Sequence, residues 1–261
     1  MSSWVVPGYT EIRDLGHGTT GRVALAWHDL TGTPVAIQYL NEMLRGDEPF
    51  LRIFRGLIRR VAAIDHPNVA RVYEYVESGA GAAIVTELID GVPLREMLAE
   101  GRFEPEAALA VVKGSLLGLA AAHSRGVVHG GYAPGRVLVD TEGRGKLIDF
   151  GVGSCPKAPP TARHDLDAVA KTLYECLVEE EAAGRILEPL RLLTGSAEPP
   201  ATAEAFLAAL DSAATAAYGA DWEQRGRDLS ASRAARLAAI MPATEDQQDP
   251  SRRERRWRLW C

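Results

Sequence analysis

The apolar pattern of this chain turns from mainly strand-like to mainly helical at residues 87–91, and that change limits the folds open to it. Before it, apolar residues alternate over 9–15, 22–28, 34–39, 69–76 and 82–86, as half-buried strands require. One helical stripe interrupts them, with apolar residues at 50, 53, 54, 57, 58, 61 and 64. After residue 91 the pattern predicts helices over 94–100, 105–124, 165–180, 184–194, 202–217 and 229–240. Pro105 stands at a favoured first-turn position. A small hairpin, 137–139 with 146–148, breaks the helical half. This order predicts an α+β chain in two lobes: an antiparallel sheet with one helix over about 1–86, a connector at 87–91, and a mainly helical lobe over 92–240.

Short motifs lie along this frame in a fixed order. Leu15-Gly16-His17-Gly18-Thr19-Thr20-Gly21-Arg22-Val23 is a G-x-G-x-x-G-x-V, weak alone in a chain with 25 glycines. Val35-Ala36-Ile37-Gln38, Asp65-His66-Pro67-Asn68-Val69 and a block from Ile84 to Gly91 follow. Then come His129-Gly130-Gly131-Tyr132-Ala133-Pro134-Gly135-Arg136, Ile148-Asp149-Phe150-Gly151 and a block from Asp165 to Glu175. Together they resemble a bacterial Ser/Thr protein kinase domain. The resemblance implies a bilobal protein kinase-like fold: an antiparallel N-lobe sheet with its C-helix, a hinge at 87–91, and a helical C-lobe. Abundant alanine and arginine with only four lysines suggest a GC-rich bacterial source, of actinobacterial type.

The same alignment implies that the catalytic parts have changed. A kinase uses a loop aspartate for the substrate hydroxyl, an asparagine for magnesium, and a lysine held by a C-helix glutamate for the phosphates. Gly131, Ala133 and Arg136 stand at the loop positions, Gln38 at the lysine and Leu57 at the glutamate. Removing one member of a buried ion pair costs roughly 3–5 kcal/mol, whereas replacing both is close to neutral. No lysine precedes Lys113, so a relocated cation would have to be an arginine such as Arg22, and Arg22 is expected to point off the sheet edge into solvent. Asp149, Phe150 and Gly151 are retained. Only residues 152–164 separate them from Asp165, a shortened, proline-rich activation segment that fits a tight connector. Its hydroxyls Ser154 and Thr161 are read as ordinary loop residues before phosphosites. The resemblance therefore implies a pseudokinase, not an enzyme, acting as a scaffold or regulator for a protein partner. The alternatives are an unorthodox nucleotide-dependent transferase using Asp149 and a sensor using the former adenine slot.

By resemblance, that slot is lined by Val23, Ala36, Thr86, Glu87, Ile89 and Leu138, with Gly16, Gly18 and Gly21 over the phosphates. Such small apolar walls suit a purine, and equally suit a core filled by side chains. No cofactor or metal is expected beyond weak, magnesium-independent ATP binding. Asp149 is the one candidate ligand, and Arg136 is expected to pair with it; at about 4 Å such an attraction is on the order of 4 kcal/mol before desolvation. Val72, Val61, Phe150, His129 and Asp165 are expected to form an internal spine. His123 is expected to be an ordinary core or surface residue.

Composition narrows the partners. A net charge of −6 disfavours nucleic acid, which needs a broad basic surface. Cys155, Cys176 and Cys261 have neither metal nor disulfide spacing, which suits a reducing cytoplasm. No signal peptide and no run of 18 apolar residues is evident. The tail at 241–261 is polar and acidic, then basic with Trp257 and Trp260, the composition of a cytoplasmic membrane flank. A juxtamembrane tether and a solvated helix end are both compatible with it.

Overall fold

A computed structural model of the chain describes residues 4–18, 20–101, 103–151, 159–182 and 200–240. Strands β1 (Tyr9–Gly18), β2 (Gly21–His28), β3 (Pro34–Leu40), β4 (Val72–Ser78) and β5 (Gly81–Glu87) form an antiparallel sheet ordered β1-β2-β3-β5-β4. A short helix α1 (Glu42–Gly46), not anticipated from periodicity, precedes α2 (Glu48–Ala62). Asn41 caps α1 and Asp47 caps α2, each carboxyl or amide oxygen accepting a backbone N–H at 2.9 Å.

Helix α2 buries Leu51, Phe54, Ile58 and Val61. The first three pack with Leu40, Ala82 and Ile84 of β3 and β5. The stripe read from sequence is thus rotated: Ile53 is 73% exposed, and Leu51 takes the inward place. Residues 69–71 are not part of β4, contrary to expectation. They tie the lobes together instead: Ala70 N–H donates to Leu147 O at 2.8 Å and Leu147 N–H to Asn68 O at 2.9 Å, while Asn68 Nδ2 reaches Gly145 O at 2.8 Å.

Beyond the hinge, β6 (Gly91–Pro93), β7 (Val137–Asp140) and β8 (Gly145–Leu147) form a second sheet. β6 was hidden because three residues show no periodicity. Helices α3 (Leu94–Ala99), α4 (Pro105–His123), α5 (Ala162–Ala182), α6 (Ala203–Tyr218) and α7 (Trp222–Ile240) complete the described lobe. α4 is apolar almost all round, as a helix at the centre of a core must be. By length and composition alone it could cross a membrane, with mean hydropathy 1.3, but two-thirds of that window (67%) is buried in the lobe. Lys113 on α4 holds Asp211 of α6 and Glu223 of α7, both at 2.7 Å.

α7 begins seven residues before the predicted start at 229, because Trp222 is buried and Gly226 lies against the α4 backbone. The predicted helix at 184–194 and the tail at 241–261 lie outside the described residues.

This close approach is testable. A Cβ at Gly226 would collide with Glu106 O, whereas one at Gly56 on α2 meets nothing within 4 Å. Gly226→Ala is expected to lose about 1–3 kcal/mol, and Gly56→Ala to be neutral or to gain about 0.5–1 kcal/mol. Urea denaturation of both variants checks this.

Candidate functional site

The cleft between the lobes collects most of the residues singled out from sequence. Val23, Ala36, Ile89 and Leu138 join Leu15, Leu25, Ala70 and Ile148 in one buried apolar cluster. Leu138 is fully buried and Ala36 is 2% exposed, and Val23, Ala36 and Ile89 line the space the slot leaves. What remains open is a cavity of about 50 Å³ lined by Gln38, Thr86, Asp149 and Phe150 among others. Ligand pockets usually run from about 300 to 1,000 Å³.

At the hinge, Glu87 Oε1 accepts from Arg71 N–H and from Lys146 Nζ, both at 2.7 Å. Lys146 thus spans from the C-lobe hairpin to the N-lobe sheet, a role its position in the chain did not announce. Gln38 Nε2 donates to Thr20 Oγ1 in the glycine loop at 3.2 Å. Leu57 packs against the C-lobe core, close enough to Gly151 that a Cβ there would strike it. An apolar contact therefore stands where the lysine–glutamate pair would. Arg22 is not a free solvent residue either. It grips Glu11 and Asp14 at 2.8 Å and lies over Tyr39, 4.4 Å from the ring centre.

The loop at 129–136 is held from below by Asp165 at the start of α5. Its carboxylate, 1% exposed, accepts His129 N–H at 2.8 Å and Gly130 N–H at 2.9 Å, with His123 Nε2 also at 2.9 Å. His123 is therefore part of this hub, not an ordinary core residue; its sign in sequence was only a histidine at the end of a helix. His129 is fully buried, and burial pushes its pKa down to about 4, so it is neutral. Its Nε2 carries the hydrogen, since it faces Ile148 O at 2.9 Å, and its ring lies 4.5 Å from Phe150. Val61 and Phe150 share one core cluster, with Val72 packed against it. Gly130 has φ +71, and Pro160 lies against the space a side chain there would fill. Thr161 exchanges hydrogen bonds with His164 in the first turn of α5. Ser154, Cys155 and the rest of 152–158 lie outside the described residues.

Asp149 is partly buried and adopts φ +62, alone among the described non-glycine residues in being left-handed. Desolvation raises its pKa to about 6, with nearby Arg136 pulling the other way. The expected Arg136–Asp149 ion pair does not form. Arg136 Nη1 donates to Gly131 O at 2.6 Å instead. No group of three or more His, Cys, Asp or Glu fit to hold a metal occurs among the described residues.

Comparison with known proteins places this geometry. The description "Protein kinase domain" matches residues 9–172. The serine/threonine-protein kinase PkaB of Streptomyces coelicolor is 35% identical over 202 residues, covering 65% of this chain and 48% of its own. PknA of Mycobacterium tuberculosis is 32% identical over 183 residues, covering 68% and 42%. The kinase pkn2 of Myxococcus xanthus is 31% identical over 176 residues, covering 66% and 21%. This chain therefore spans less than half the length of these relatives. The PknI kinase domain of Mycobacterium tuberculosis superposes with a TM-score of 0.69 at 23% identity, over 82% of this chain and 99% of that one, which shows the shared fold. These relatives overturn the expectation that the chain is not an enzyme. PkaB, PknA and pkn2 are each named a serine/threonine-protein kinase, and this chain carries the protein kinase domain over residues 9–172.

A raised pKa favours the protonated, folded form. The stabilisation it gives is full below the unfolded value of 3.8 and is lost as pH rises through about 6. Asp149→Asn is accordingly expected to match the parent at pH 4 and to exceed it at pH 7.5. The gain should be about 1–2 kcal/mol, discounted for partial exposure. Denaturation across this pH range checks it. Asp165→Ala, which strands two loop N–H groups, is expected to lose about 3 kcal/mol at neutral pH.

Proposed function

The chain belongs to the protein kinase family, and on that premise we propose that it regulates a protein partner in bacterial signalling, with any phosphate transfer routed through Asp149. One observation supports this most. The His129–Phe150 stack and the Asp165 hub are assembled beside a cavity of only about 50 Å³. A fold that completes its own spine without a nucleotide presents one steady surface, which suits recognition by another protein. A cytoplasmic position, at the inner membrane face through the tail at 241–261, accompanies the reading.

A second reading is a nucleotide-dependent transferase, and the names of the relatives favour it. Gly131 and Ala133 offer no acid or base; of the two carboxylates lining the cavity, Glu87 is held by Lys146 at 2.7 Å, which leaves Asp149 as the candidate. A carboxylate titrating near 6 is closer to working pH than an ordinary aspartate, as a general base requires.

Both readings share a nucleotide expectation. ATP should bind weakly, with a dissociation constant on the order of 1 mM, and should not tighten with magnesium. Calorimetry with and without the metal tests this; micromolar binding that strengthens with magnesium would refute it. For the regulatory reading, a partner captured by crosslinking is assayed with the purified chain and its Asp149→Ala variant. A change in partner activity that survives the substitution supports regulation. Labelled phosphate incorporation that vanishes with the substitution supports the transferase.

A further inference from the structure

The polar groups at the roof of the cleft are already spent on one another. β1 and β2 stay paired to their ends, Gly18 opposite Gly21, with Thr20 in the turn between them. Thr20 is folded inward: it is 4% exposed, its hydroxyl accepts from Gln38 Nε2 at 3.2 Å, and its carbonyl accepts Asn41 N–H at 2.8 Å. Gln38 is itself 6% exposed and lines the same small cavity as Asp149. In β2–β3 register it lies opposite Val23, a wall of the apolar slot. The turn is thus fastened to β3 directly above the closed slot.

We propose that the glycine loop is an intramolecular latch, with the Gln38–Thr20 hydrogen bond holding the cleft shut against nucleotide. The position that elsewhere carries a phosphate-gripping cation here carries an amide that grips the loop. Arg22, the loop's own cation, is turned away to Glu11 and Asp14 and does not compensate. Incoming phosphates would find backbone N–H groups of the loop, but only after the hydroxyl and amide had separated and the apolar walls had parted. A neutral buried hydrogen bond of this kind corresponds to roughly a two- to tenfold bias toward the closed loop. The latch stands apart from the choice between regulation and transfer, because it concerns access to the cleft and not its use.

Thr20→Val keeps the shape of the side chain and removes the acceptor; Thr20→Ser keeps the hydroxyl. Two measurements are made on the full chain: hydrogen exchange of the amides at 16–23, and calorimetric binding of ATP and ADP without metal. Thr20→Val should speed exchange roughly two- to tenfold and strengthen nucleotide binding by a similar factor, while Thr20→Ser stays at the parental values. Exchange that does not change in Thr20→Val overturns the latch. So does faster exchange without any gain in affinity, which would make the bond a structural clip and not a gate. Gln38→Leu removes the donor from the other side and must reproduce the Thr20→Val exchange result. If it does not, Thr20 acts through a different neighbour and the proposal falls. Partner regulation is not read in either measurement, so its failure cannot be mistaken for failure of the latch.

Discussion

The carboxylate of Asp165 is the point on which the cleft depends. It accepts two consecutive backbone N–H groups from the loop at 129–130 and meets His123 at the end of α4. Charge-assisted bonds in a site 1% exposed are strong, and the donors they satisfy would be costly to bury alone. The bond fixes His129, His129 supports Phe150 at 4.5 Å, and Phe150 joins Val61 of α2 in the core. A single anchored carboxylate at the foot of α5 thereby positions a loop, a motif and a helix of the other lobe.

Above that anchor, neutral contacts occupy the centre of the cleft. A buried ion pair costs desolvation that its attraction repays only with good geometry, so replacing both members by neutral groups is tolerated. Leu57 now packs beside Gly151, and Gln38 turns to Thr20. A charged contact between the lobes lies at the hinge, where Lys146 bridges to Glu87 at 2.7 Å. Lobe-to-lobe coupling is thus kept, but through the β8 hairpin, the hinge and residues 68–70 in place of the centre of the cleft.

Much of this was legible in the residues, because motif order and period are local properties. The change of period at 87–91, the strand carrying Gln38 and the Asp149-Phe150-Gly151 turn all stand where their spacing put them. Errors arose where two segments distant in sequence decide one residue's environment. Ile53 has the right spacing for the core, but α2 is rotated so that Leu51 faces in. Arg136 has the right charge for Asp149, but a nearer carbonyl takes it. His123 carries no local sign of its contact with Asp165, 42 residues away.

The sequence by itself determined the two-lobe order and the identities of the groups in the cleft, since alternation, helical stripes and glycine turns follow from backbone geometry within a few residues. Only the tertiary structure decided whether the slot is open, which partner each charge takes, and how far Asp149 is desolvated. Those are sums over neighbours supplied by both lobes: apolar walls at Val23 and Leu138 meet across the hinge, and burial outweighs Arg136 at Asp149. Hydrogen bonds and desolvation depend on distances of a few ångströms between segments, which spacing along the chain does not contain.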